Sequence, residues 1–480
     1  MLYRKLSLSA LVLLAVLAGF SACSDQPQAP VAQVPPLPVA GEPSLAAVPR
    51  AVCGPGSNPE SDLQGRVLRE EIDNGRAAQG YTCNSQLLGR SGPPSYQGGA
   101  GGFKVFRYVD AAGHECAYYD TTLVYPANVS AGQVPGVWVL DMSNPSLPVR
   151  TAVLGTQAML SPHESLALNA KRGLLAAAYG TPATAPGQVD IYDLTADCRN
   201  PVLKSSLPVG TLGHESGMAP DGNTYYIASL DAGTLTAIDI SNPVAPVPLF
   251  ATNKYKPHGL SISEDGNRAY IADRTGLIIL DVSQIQARVL NPVVPEISRL
   301  NWQPIQSTPQ TTIPVTIKGR PYLIEVDEFS DGDDNAGAAR IIDIANELEP
   351  RVISNIRLEV HAPENRAALL GDYGSGPSDR LGFAGYNGHF CEVPQRVEPG
   401  VVACTFILSG LRLFDIRDPF NPKEIAYFNG PILPVNGNAA FDPHAYAMAA
   451  PAFAPERKEI WYSDGNSGFY SVRITNDVWP

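Results

Sequence analysis

The chain has 480 residues, with 34 Lys and Arg against 47 Asp and Glu and a formal net charge of −13. So acidic a chain argues against a nucleic-acid binder, whose footprint is basic. Its 44% of apolar residues is enough for a large core and excludes wholesale disorder. Gly (43) and Pro (44) together make about 18% of the residues, against a usual ~12%. That punctuation suits many short strands and turns better than long helices.

The N-terminus reads MLYRKLSLSALVLLAVLAGFSACSDQ. Arg4 and Lys5 precede an apolar stretch, Leu6 to Phe20, that is too short to span a membrane comfortably. It ends in Phe20-Ser21-Ala22-Cys23. The segment resembles a bacterial lipoprotein signal. That resemblance implies removal of residues 1–22, a lipid on Cys23 and, with Ser24 next, the outer membrane. An ordinary secretory signal cleaved nearby is the other reading. Both predict an exported protein, periplasmic or surface-exposed. Residues 24–50 carry seven prolines and predict an extended tether, at ~3 Å per residue where polyproline geometry holds. The lipidated cysteine and this linker together make up residues 23–50.

Residues 51–100 read as a cap and the start of a first structural unit, with the main body over 101–480. The stretch 56–89 matches nothing later in the chain. It predicts a turn-rich or partly helical cap whose aromatic-bearing end supplies an outer strand. If Cys23 is lipidated, six cysteines remain: Cys53, Cys83, Cys116, Cys198, Cys391 and Cys404. An even number outside the cytoplasm favours disulfides, although six cysteines allow 15 pairings. Sequence position suggests Cys391 with Cys404 across a turn, Cys53 with Cys83, and Cys116 with Cys198. No pair has the CxxC spacing of a zinc or redox site.

One phrase recurs through the body: a β-branched run, then Asp, then often Ser-Asn-Pro. It appears as VWVLDMSNP (137–145), VDIYDL (189–194), LTAIDISNP (235–243), LIILDVSQ (277–284), ARIIDIAN (339–346), LRLFDIRDP (411–419) and a degraded FYSVRI (469–474). Between copies lies a second phrase that begins near a histidine and continues as a hairpin, as in HGLSISEDGNRAYIAD (258–273). Asp221-Gly222-Asn223 and Asp265-Gly266-Asn267 supply its turn, because Gly tolerates positive φ. Four strands per period of some 40–75 residues is the arithmetic of a propeller blade. The phrase resembles the LVIVD repeat of bacterial and archaeal surface proteins, over roughly residues 100–475. An all-β, seven-bladed β-propeller of four-stranded blades follows. Counting from the aspartates puts the blades at about 62–142, 143–194, 195–240, 241–282, 283–344, 345–416 and 417–474. Asp141, Asp193, Asp239, Asp281, Asp343 and Asp415 are read as capping turns or bonding between blades.

The chain has seven histidines: His114, His163, His214, His258, His361, His389 and His444. Blades one, two, three, four and seven contribute one each and blade six two, while blade five offers Glu325 instead. In a propeller, equivalent positions on the innermost strands converge on one axis. Histidines at one register would then ring a central funnel and suit Zn, Cu or Fe. His163, His214, His258 and His444 are the foremost candidate ligands, with Glu115, Glu164 and Glu215 orienting them from behind. A repeated packing role is the competing reading. The acidic run Asp327-Glu328-Phe329-Ser330-Asp331-Gly332-Asp333-Asp334-Asn335 offers hard oxygen ligands for calcium through Asp327, Asp331, Asp333 and Asp334. It also reads as a solvated loop. No GxSxG elbow is present. Two functions remain open. One is an envelope-anchored module that binds a protein, glycan or small ligand. The other is a metal-dependent enzyme with a His-lined funnel.

Overall fold

The computed structural model describes residues 43–93, 100–121, 134–180, 187–274, 276–302, 307–330, 336–376, 385–433 and 443–480. The signal segment, Cys23, most of the tether and Asp331, Asp333 and Asp334 fall outside them. Seven antiparallel sheets form a β-propeller. Blade three is representative, with Glu215–Met218, Thr224–Ser229, Thr234–Asp239 and Val247–Thr252 hydrogen-bonded in that order. The strands of each sheet alternate in direction, so short turns suffice to connect them. Gly222 (φ 71°) and Gly266 (φ 77°) occupy the left-handed region in the two Asp-Gly-Asn turns.

The outermost strand of blade three is its least buried. Thr224–Ser229 is buried at every position, whereas the outer strand Val247–Thr252 is half-buried or exposed throughout. The core therefore lies between neighbouring blades. Tyr118, Val137 and Val139 of blade one, for example, pack with Leu166, Leu175 and Ala177 of blade two. At 25 cal/mol per Å², such faces supply most of the driving force.

Each repeated aspartate ends the third strand of its blade and accepts the backbone N–H two residues on. Asp141 does so from Ser143, Asp193 from Thr195 and Asp239 from Ser241. Asp281, Asp343 and Asp415 do the same from Ser283, Ala345 and Arg417. These Asx turns stop the strand. Asp239 also meets Arg288 of the next blade at 3.0 Å. A fourth strand follows each aspartate, so blades one to six end one strand later than the aspartate-based limits. Val149–Leu154 completes blade one, and blade two opens at Ala167–Asn169.

Closure uses the chain's early part. Ser85–Ser91 pairs with Gly468–Ile474 as the outer strand of blade seven. Tyr81–Cys83 adds a fifth strand to blade six beside Lys423–Asn429. Joining distant parts of the chain in one sheet leaves the ring without an open seam. A short helix, Arg69–Asp73, sits just before these strands. Fully buried Arg412 pairs with Glu60 of this segment and, at 3.0 Å, with Glu424. The disulfides are Cys53–Cys83, Cys116–Cys198 and Cys391–Cys404.

Candidate metal centre

The innermost strands of blades two, three, four and six each begin beside a histidine. His214 immediately precedes Glu215–Met218, His163 lies in the turn leading to Ala167–Asn169, and His258 and His389 are second in Pro257–Ile262 and Gly388–Glu392. Neighbouring inner strands touch, as at the bridge between Glu164 and Glu215. This register carries the four rings to one place at the axis. Ring centroids of His163 and His214 are 4.4 Å apart, and those of His214 and His258 4.6 Å. Phe103, just ahead of the first strand of blade one, stacks on His163 at 4.5 Å and lies 5.6 Å from His389. His163 has φ +52°, a conformation that costs a non-glycine residue about 1–3 kcal/mol. A Cβ at Gly180 would stand 2.4 Å from the His163 Cβ, so glycine there admits the ring.

Two carboxylates lie among these rings. Glu164 is fully buried. Its Oε1 is 3.1 Å from His389 Nε2, and its Oε2 is 3.4 Å from His214 Nε2 and 3.7 Å from His258 Nε2. Glu328 reaches in from the second strand of blade five, with Oε1 3.3 Å from His389 Nε2 and Oε2 3.4 Å from His258 Nε2. His258 donates its Nδ1–H to Pro309 O (2.8 Å), and His389 its Nδ1–H to Met448 O (2.6 Å). A backbone carbonyl behind a ring fixes the tautomer that leaves the Nε2 lone pair facing forward. The His258 Nε2 then accepts a hydrogen bond from the His214 Nε2–H at 2.9 Å, with carboxylate oxygens close by. Protonated His389 pairs with Glu164 Oε1 at 3.1 Å, whereas Glu164 Oε2 has only the more distant imidazoles of His214 and His258. Such a cluster is stable only with protons or cations between its members.

The electrostatics express that demand. Burial opposes charging His389, but Glu164 and Glu328 outweigh it and raise its pKa to about 10. Burial also works against His214, which Asp231 and Glu164 nonetheless hold above its ordinary value. Burial and the neighbouring His214 push His163 down to about 4 and also lower His258. Glu164 stays well below the usual carboxylate range despite its burial, because His389 and the other rings favour its anion.

The remaining ring candidates lie elsewhere. His114 occupies the hairpin after the first strand of blade one, not the position before it, and its Nδ1 pairs with Asp110 at 2.9 Å. Blade one places Phe103 at the axis instead. His361 sits in the turn Glu359–His361 between blades, and Leu358 N–H and Tyr386 O engage both its nitrogens. His444 packs against Gly374, its Nδ1 2.6 Å from Ala445 O. Glu325 is bound to Arg340 at 2.6 Å. Arg340 also holds Asp327, so that carboxylate serves an internal ion pair and not a calcium site. Glu115 pairs with Arg107 and Arg457.

The roles of the other glutamates also change. Glu164, expected to orient ligands from behind, stands among them. Glu215 lies alongside Glu164, bound to Lys104 (3.0 Å) and Thr311 (2.9 Å), and burial raises its pKa to about 7. Glu328 was not among the candidates. Its signal lay inside the acidic run, where it read as part of a loop.

The sheet arrangement and the hub define a seven-bladed propeller with a His/Glu cluster at its axis. The LVIVD repeat model matches residues 213–252 and 259–287, so blades three and four carry LVIVD repeats. No curated protein matches the chain in sequence. Among solved structures it is similar to the periplasmic gluconolactonase of Pseudomonas aeruginosa at 13% identity, with 69% of this chain and 86% of that one covered and a TM-score of 0.44. A putative 6-phosphogluconolactonase of Bacteroides uniformis is similar at 11% identity, covering 70% and 86%, with a TM-score of 0.45. Hydrazine synthase of Kuenenia stuttgartiensis matches at 15% identity, covering 62% and 72%, with a TM-score of 0.39. Likeness this low speaks to neither site nor substrate.

Proposed function

We propose that the protein is a metal-dependent enzyme of the cell envelope. Its hub holds divalent transition metal on His214, His258 and His389 with Glu164 and Glu328. The observation that carries this reading is the Glu164 carboxylate, 0% exposed and facing three imidazole nitrogens at 3.1, 3.4 and 3.7 Å. Imidazole with carboxylate suits Zn, Cu or Fe. The His163 and His214 side chains keep 28% and 13% of their exposure, so water and a small substrate reach the centre on that side. A metal there acts as a Lewis acid and lowers the pKa of a bound water. Elemental analysis of purified protein tests the reading. Bound transition metal that is lost in His214→Ala/His258→Ala, with the circular dichroism spectrum kept, is the expected result. A scaffold that uses the cluster only for packing would carry no metal, and the replacements would merely lower its stability.

We place the protein outside the cytoplasm, held to a membrane through Cys23. Three disulfides support an oxidising compartment. A single acyl chain binds membranes only marginally, whereas the several chains of a lipoprotein anchor firmly. Cys23→Ser is therefore expected to move the protein from the membrane fraction to the soluble exported fraction and to end labelling by radioactive palmitate. A labelled Cys23→Ser protein would refute the anchor.

A further inference from the structure

We infer that the hub holds two divalent cations bridged by the Glu164 and Glu328 carboxylates. This rests on the metal-centre reading above and specifies its nuclearity. The two oxygens of each carboxylate face different histidines. On one side, Glu164 Oε1 and Glu328 Oε1 both approach His389 Nε2, at 3.1 and 3.3 Å. On the other, Glu164 Oε2 approaches His214 and His258 at 3.4 and 3.7 Å, and Glu328 Oε2 approaches His258 at 3.4 Å. A carboxylate that shares its oxygens in this way is placed to bridge two ions. The donor atoms also fall into two close sets with Glu164 in common. One comprises His163, Glu164 and His214, the other Glu164, Glu328 and His389, with donors within 4.8 Å of one another in each.

Donor number points the same way. Four histidines and two glutamates bring more nitrogen and oxygen ligands than the four or six positions of one transition-metal ion. Shared between two ions, they leave vacancies on both. The first ion takes His214 and His258, with His163 beside them, and one oxygen of each glutamate. The second takes His389 and the two remaining oxygens, and water or substrate fills its other positions. Carboxylate-bridged ions stand about 3.5–4 Å apart in such sites, a spacing that lets both act on one substrate. Two divalent charges against two carboxylates leave the pair net positive, so its preferred ligand is an anion or a bridging hydroxide.

The test loads the chelator-treated, full-length chain with Mn²⁺. Equilibrium dialysis is expected to give two ions per chain, and electron paramagnetic resonance a spin-coupled signal in place of the six-line spectrum of isolated Mn²⁺. His389→Ala should keep one ion per chain with an uncoupled spectrum. Circular dichroism checks that the variant is folded, and the wild-type stoichiometry decides the matter if it is not. One uncoupled ion in the wild type overturns the pair but leaves the metal centre standing. No bound ion overturns both.

Discussion

Glu164→Gln is expected to abolish the thermal stabilisation that added divalent metal gives the wild-type protein. A ligand that binds only the folded chain stabilises it by RT ln(1 + [L]/Kd), about 2.7 kcal/mol at 100 Kd. For a body of this size, with an unfolding entropy of ~2.1 cal/mol/K per residue, that is a rise in Tm of about 3 °C. Glu164 is the group whose oxygens serve both His389 and the His214–His258 pair. The amide keeps the shape but removes the negative charge and one oxygen ligand, so affinity should fall by at least ~100-fold. Without metal the variant should melt within a few degrees of the wild type. The buried anion it removes is costly in itself, and so is the His389 cation left behind. Calorimetry with and without Zn²⁺ separates these effects. An equal metal-dependent shift in both proteins would rule out Glu164 as a ligand.

Much of the fold was legible because a propeller writes itself as a period. Each LxIxD phrase had to be a strand, since its β-branched run lacks a helical face, and each aspartate had to stop it. What the aspartates did not reveal was where a blade ends. The outer strands, such as Val247–Thr252, are half-exposed and carry no repeated polar marker. Closure was harder to see, because Ser85–Ser91 belongs to the sheet of Gly468–Ile474 and no local pattern links them.

For the hub, counting histidines by blade included His163, His214, His258 and His389 but ranked His444 ahead of His389 and could not tell the hub set from His114 or His361. The two groups differ by one strand: the hub histidines stand before or at the start of the inner strand, His114 after it. Glu328 escaped because it enters from a second strand, where neighbouring Glu325 and Asp327 have the same chemistry yet are held by Arg340. Residue type alone does not decide which of three carboxylates faces the axis. The cysteines were easier, because two pairs lie close in sequence and leave Cys116 for Cys198.

The disulfides provide the second large effect, one that separates two accounts of their stabilisation. Cys116–Cys198 closes 82 residues and ties blade one to blade two, whereas Cys391–Cys404 closes only 13 within blade six. If the bonds act by restricting the unfolded chain, removing the first should cost about 4.5 kcal/mol and the second about 3 kcal/mol. The folded geometry around Cys198 has its own supports: Tyr118 O–H donates to Cys198 O at 2.6 Å, and the Cys198 N–H donates to Asp110 at 3.0 Å. A paired Cys116→Ser/Cys198→Ser variant should therefore keep its native spectrum and lose stability mainly through a looser unfolded state. Urea titrations under oxidising conditions measure this as a lower midpoint, with a larger drop for Cys116→Ser/Cys198→Ser than for Cys391→Ser/Cys404→Ser. The reverse order would mean that local packing at the cross-strand Cys391–Cys404 pair outweighs chain entropy. The same ranking fixes the consequence of a reducing compartment, where the blade-one to blade-two junction would lose the most.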